Sequence, residues 1–170
     1  DALLPEIVAS DSSKTFALGR GLATGCDSVA ECWSRLRDEF LKTPEDKRHA
    51  QLLSGFLASA VTRSAGETEV LLDEALADPR LNPYLLHWQA NACVNVRAFE
   101  RMMKALVIDT VPVSSFGVLA SGRAHEGLDD EQLRQVLRGI TAKEGGNSVA
   151  AQILGMRVFG KLSDKLPITE

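Results

Sequence analysis

Aromatic side chains are few in this sequence: one tyrosine, two tryptophans and six phenylalanines in 170 residues, against plentiful aliphatics. No apolar run approaches the ~20 residues a membrane-spanning helix needs, so no membrane segment is expected. Positive charge is short as well. Nineteen Lys and Arg stand against 23 Asp and Glu, a net charge of −4, which gives no global attraction to nucleic acid or to an anionic membrane. No signal peptide is visible and no methionine opens the chain, which points to an excised segment or a processed chain. The three cysteines, Cys26, Cys32 and Cys93, are odd in number and fit neither a zinc spacing nor a disulfide framework. They read as small buried hydrophobes in a reducing, cytoplasmic compartment.

Motifs for chemistry are missing too. Gly145-Gly146-Asn147-Ser148 lacks the lysine and the preceding strand of a phosphate loop, and reads as a helix stop followed by a cap. Gly19-Arg20-Gly21 lies inside an apolar helical stretch with no strand before it, so its glycines serve close helix approach rather than a dinucleotide. His49, His87 and His125 recur every 38 residues, yet fall at different places in their helices and would not converge on a metal. Cys26 and Cys32 are six apart, off a common helical face, with no histidine near in sequence. Asp129-Asp130-Glu131 reads as acids at a helix start, where the dipole favours them, before it reads as a catalytic pair. No catalytic residue, metal site or cofactor is expected.

What the sequence holds instead is helix signals in pairs. The organising stretch is Thr43–Asp78, where Thr43-Pro44-Glu45-Asp46 supplies a cap hydroxyl, a proline for the first helical position and acids for the first turn. An apolar helix through Leu52-Leu53-Ser54-Gly55-Phe56-Leu57 follows, then a break at Ser64-Ala65-Gly66 and a second helix over Glu67–Ala77. Similar small-residue segments surround Gly19, Gly55, Gly122 and Met156, separated by 36, 67 and 34 residues. A period of about 35 residues is that of a helix-turn-helix unit in a stacked array.

The rest of the chain follows suit. Residues 1–11 form a leader, 12–163 the helical-repeat domain and 164–170 a tail. Ser12 or Ser13 opens a helix through Thr24. Ser28 and Glu31 make a capping box for a partner helix with Val29, Trp33, Leu36 and Phe40 on one face. Asn82-Pro83 opens a third unit over Pro83–Cys93 and Val96–Val107. Ser114 or Ser115 caps a helix through Ala124. Leu133, Val136, Leu137 and Ile140 mark the next, and a last helix runs from Asn147 or Ser148 to about Phe159. No strand pattern of any length occurs. The expected class is all-α, an α-solenoid-like array of stacked antiparallel hairpins, about nine helices in all.

Arg20, Arg123 and Arg157 follow the small residue in their helices, with Phe56 and Gln89 at the corresponding places of the second and third units, and Trp88 beside Gln89. In an array such positions line one surface and would bind an acidic partner, a carboxylate or a phosphate. The weightier reading is of arginines that cover helix grooves and pair with acids of the next unit, since Phe56 and Gln89 interrupt the row. Trp33, Trp88 and Phe99 read as core rather than as ligand platforms.

Taken together, Leu53-Ser54-Gly55-Phe56-Leu57, Leu71-Leu72-Asp73-Glu74-Ala75-Leu76, Leu119…Gly122-Arg123 and Gly145-Gly146-Asn147-Ser148-Val149-Ala150 resemble the helical-repeat region that follows the nucleotidase module in large bacterial NTPases of the anti-phage defence type. The resemblance covers about residues 15–160, and its motifs are structural repeat residues. It implies a TPR- or HEAT-like sensor whose chemistry lies elsewhere. The expected function is protein–protein or ligand recognition without catalysis, the partner being another protein or flanking domains of the same polypeptide. The rivals are a compact helical enzyme or small-molecule-binding bundle, and a structural module that joins neighbouring segments.

Overall fold

Four α-helices start at side-chain caps that the sequence supplies. Ser12, Ser28, Asn95 and Asp129 accept hydrogen bonds from the backbone N–H groups of Lys14, Glu31, Ala98 and Gln132, answering donors that a helix start leaves open. The computed structural model describes residues 3–10 and 12–163. Those residues form nine α-helices and four 3₁₀ segments, with no strand among them, and helix occupies 77% of the structure, which makes the class all-α.

The chain divides into two units, Asp1–Cys93 and Val94–Glu170. The first contains α1 (Leu4–Val8), α2 (Ser13–Gly25), α3 (Val29–Lys42), α4 (Gln51–Arg63), α5 (Ala65–Ala77) and α6 (Leu85–Ala92). The second contains α7 (Val96–Ala105), a 3₁₀ segment Val113–Ala120, a 3₁₀ turn Ala124–Gly127, α8 (Asp130–Thr141) and α9 (Gly146–Ser163). The expected leader includes α1, whose Val8 is fully buried. The expected tail lies outside the described residues.

In the first unit α4 is central. Residues Leu52 to Leu57 are buried without interruption, as happens when a helix is covered all round. α2 and α6 both pack against α4, α5 folds back on it, and α3 touches α5. The α2–α4 crossing is the tightest. A Cβ on Gly55 would lie 2.8 Å from the Phe16 carbonyl carbon, and one on Gly19 2.8 Å from the Phe56 backbone nitrogen. Neither distance leaves room for a side chain, so the two backbones touch through paired glycines.

The scarce aromatics are concentrated around the same helix. Trp33 stands edge-on to Trp88 at 5.6 Å, Phe40 edge-on to Tyr84 at 4.9 Å, and Phe56 lies 6.3 Å from Trp33. Trp88 Nε1 donates to the Ala50 carbonyl at 3.3 Å. Two arginines close helix ends. Arg48 Nε and Nη2 donate to the carbonyls of Thr43 and Leu41, at 2.9 and 3.0 Å, at the end of α3, and its guanidinium lies 5.7 Å from the Phe40 ring. Arg63 donates to the Ala23 and Cys26 carbonyls at the end of α2. These are carbonyls that a helix C-terminus leaves without partners.

Three expected helix starts differ from the observed ones. Thr43 ends α3 instead of opening α4: its hydroxyl and its N–H both donate to the Glu39 carbonyl, and Pro44 leads into a 3₁₀ turn at Glu45–Lys47. α4 therefore begins at Gln51. Asn82-Pro83 likewise belongs to a 3₁₀ turn, and α6 begins at Leu85. The stretch after Ser114 is the 3₁₀ segment Val113–Ala120 rather than an α-helix through Ala124. Its two serines and Gly117 favour alternatives to the α-helix, and Phe116 and Leu119, three apart, are both buried, as i,i+3 positions of a 3₁₀ turn would be. α9 packs along it.

The glycine crossing generates opposite predictions for two glycines of the same type. Gly55→Ala should destabilise the protein by about 1–3 kcal/mol through forced overpacking. Gly21→Ala, where nothing lies within 4 Å of the added Cβ, should stabilise it by about 0.5–1 kcal/mol through helix propensity. Thermal denaturation of the two variants checks the sign of each.

Candidate functional site

The α8–α9 hairpin is built by strong local signals. Asp129 Oδ1 accepts from the Gln132 N–H at 2.8 Å and Gln132 Oε1 accepts from the Asp129 N–H at 3.2 Å, a complete capping box. The chain turns at Gly145, at φ +73°, and re-enters a helix at Gly146. At the far end of the hairpin, Arg157 Nη2 of α9 donates to Asp130 Oδ1 of α8 at 2.7 Å. The Arg157 side chain is mostly buried and Asp130 is exposed, so the pair is a tie between helix ends more than a source of much free energy. The two helices thus run antiparallel, joined at both ends.

Between them lies an open groove of about 570 Å³. Leu133, Leu137, Ala150 and Leu154 supply apolar lining, and Arg134, Arg138 and Arg157 are the cationic residues around it, against the single carboxylate of Asp130. Arg134 pairs with Glu131 and Arg157 with Asp130, while Arg138 makes no ion pair among the described residues. The apolar surface continues past the groove. Leu154 is 51% exposed, Val158, one turn on along the same face, 50%, and Phe159 70%. α9 is apolar on more faces than the rest of its unit covers.

A larger cleft, about 940 Å³ between α3 and α5 in the first unit, is a weaker candidate. Its charges satisfy one another: Arg37 with Asp38 at 2.9 Å and Glu74 at 3.9 Å, and Arg80 with Asp78 at 2.7 Å. The hydrogen bonds from Arg80 hold the Asp78 carboxyl below its usual range.

The residues picked out from the sequence are dispersed. Phe56, Trp88 and Gln89 are fully buried; the two rings belong to the aromatic core, and the Gln89 amide donates to the Cys93 carbonyl at the end of α6. Arg20 is exposed on α2. Arg123 lies outside any α-helix, at φ +64° in a turn, and pairs with Glu126 at 2.6 Å. Arg123, and more weakly His125 and then Arg157, hold the Glu126 carboxyl below its ordinary range. So Arg123 and Arg157 share one acidic neighbourhood, and of the six residues only Arg157 lines the groove. Arg138 and Leu137 were missed. The sequence places Leu137 in the α8 stripe with Arg138 beside it, and only the structure shows that Leu137 is the one residue of that stripe left half-exposed.

Two of the three cysteines, Cys26 and Cys32, also come together in a way spacing did not suggest. Cys26 lies just beyond α2, so helical periodicity does not govern it, and Arg63 Nη1 stands 3.2 Å from its Sγ while capping α2. Burial pushes the Cys32 thiol up to about 11, with Cys26 beside it adding to the shift. His125 is buried, its Nδ1 3.1 Å from the Leu119 carbonyl, and among the described residues no three His, Cys, Asp or Glu gather to hold a metal.

With a pKa near 11, Cys32 is about 0.1% thiolate at pH 8. Iodoacetamide at pH 8 should therefore leave it largely unmodified in the folded protein and label it readily after unfolding. Mass spectrometry of the tryptic peptide spanning 21–35 checks this. No helix among the described residues is long and apolar enough to cross a membrane. No protein-family model matches the chain, and no curated protein or solved structure matches it.

Proposed function

We propose that the chain is a non-catalytic recognition module, a sensor or scaffold segment of a larger bacterial protein, and that it binds its target through the α8–α9 hairpin. The carrying observation is the open groove with an apolar floor and an arginine rim, its α9 row continued one turn on by exposed Val158. Isolated apolar residues on a surface need no explanation, but a contiguous apolar strip with a polar border favours a binding role. The adjacency of α2, α4 and α6, with α3 touching α5, supports a repeat-like arrangement in the first unit. The three free thiols support a reducing, cytoplasmic compartment.

The groove should bind the fluorescent anion 1-anilinonaphthalene-8-sulfonate, whose ring and sulfonate match floor and rim. A saturable rise in fluorescence is expected at pH 7. Leu154→Glu should weaken it about tenfold or more, given the roughly 1.5–3 kcal/mol that burial of a leucine contributes. Val96→Glu, at an exposed apolar residue outside the groove lining, should leave it unchanged. Equal binding by the two variants would remove the hairpin as the site.

A further inference from the structure

Resting on the recognition role of the α8–α9 hairpin, we propose that its groove receives an acidic amphipathic α-helix of a partner protein. The partner's apolar stripe lies on Leu137 and Leu154, and its carboxylates meet Arg138 and Arg134.

The shape selects a helix. The groove is lined along α8 from Asp130 to Thr141, a length of about 18 Å, or roughly three helical turns. It is open along that length. An open groove encloses only part of a small amphiphile such as the naphthalene dye and holds it weakly, whereas an amphipathic helix needs one apolar stripe covered and its other face left in water. The lining offers such a stripe. Leu133 and Leu137 are four apart on α8, Ala150 and Leu154 four apart on α9, and Val158 extends the second row by a further turn.

The charge selects an acidic partner. The lining carries three arginines and one aspartate on a chain whose net charge is −4, so the groove opposes the sign of the molecule. The arginines differ in what they can offer. Arg157 is committed to Asp130 and holds the hairpin. Arg134 is exposed and shares Glu131, as an i,i+3 pair in solvent that is easily exchanged. Arg138 has no ion-pair partner among the described residues and stands next to Leu137, where it would take a partner's carboxylate by a bidentate contact. The same arrangement disfavours a second copy of this chain. Two hairpins meeting face to face about a two-fold axis would bring the arginine rows together, and like charges across an interface are costly.

The test uses the whole chain and two fluorescein-labelled peptides of about 15 residues. Each has leucines at i, i+4, i+7 and i+11; one has glutamates at the flanking positions, the other lysines. In fluorescence anisotropy the glutamate peptide should bind about tenfold or more tightly than the lysine peptide, and the gap should narrow as salt rises. Arg138→Glu should remove that preference, with Arg134→Glu as a second reversal at an exposed position. Leu154→Glu should weaken the glutamate peptide, and unchanged far-UV circular dichroism would show that each variant is folded. Equal binding of the two peptides, or a preference indifferent to both charge reversals, would overturn the proposal. A dimer in sedimentation equilibrium that Leu154→Glu dissociates would assign the groove to a second copy, and displacement of the naphthalene dye by decanoate but by neither peptide would assign it to a small acid. Either result overturns the helix. If the dye still binds in a Leu154-dependent way while both peptides fail, the groove stands as a recognition site and the partner class falls. If the dye fails too, both fall.

Discussion

Two helix backbones touch in the first unit because neither has a side chain at the crossing. Gly19 and Gly55 each face the other helix's main chain at distances that exclude even a methyl group. The consequences spread along both helices. With its axis drawn close to α2, α4 is covered from Leu52 to Leu57, and its last residue, Arg63, reaches the open carbonyls of Ala23 and Cys26. The crossing thus sets the depth at which α4 sits, and the rings of Trp33, Phe40, Tyr84 and Trp88 pack around the space that remains. A core short of aromatics gains from placing these few rings in edge-on contact, where each pair adds to what burial alone contributes.

Much of this was legible in the sequence. The apolar faces of α3 and α8, the cap at Ser28, the acids at the start of α8 and the close approach at Gly19 follow from local rules, and the structure agrees with them; Gly21, expected to share that role, has nothing within 4 Å of it, and α9 starts at Gly146, ahead of the expected cap at Asn147 or Ser148. Helix starts at prolines were less legible. Thr43-Pro44 and Asn82-Pro83 have the composition of a cap followed by a first helical residue, yet each supports a 3₁₀ turn. A cap signal states that backbone donors or acceptors need partners near that point. It does not state which helix they belong to, and at Thr43 the preceding helix takes the hydroxyl.

The candidate site was less legible still. The proposed arginine row assumed that Arg20, Arg123 and Arg157 hold equivalent helical positions, and the 3₁₀ backbone from Val113 to Ala120 breaks that equivalence, leaving Arg123 in a left-handed turn. Cys26 and Arg63, 37 residues apart, meet because of a helix crossing that no periodicity reports. Phe56 and Trp88 are conspicuous in the sequence because large rings are rare in it, and they are spent on the interior. The groove arises from residues that look ordinary one at a time: a leucine at the edge of a stripe, an arginine beside it and a mostly apolar helix opposite.

That groove also explains why α9 can remain apolar on an uncovered side. A helix with apolar residues on most faces normally requires cover all round, and Leu154, Val158 and Phe159 lack it. The hairpin keeps its form because it is fastened at its two ends, by the Gly145 turn and by the Arg157–Asp130 bond, neither of which uses the exposed side chains. The groove is therefore shaped before anything enters it. Binding there would not have to order the hairpin first, and that saving would favour a partner held by a shallow apolar surface with only a few charged contacts at its rim.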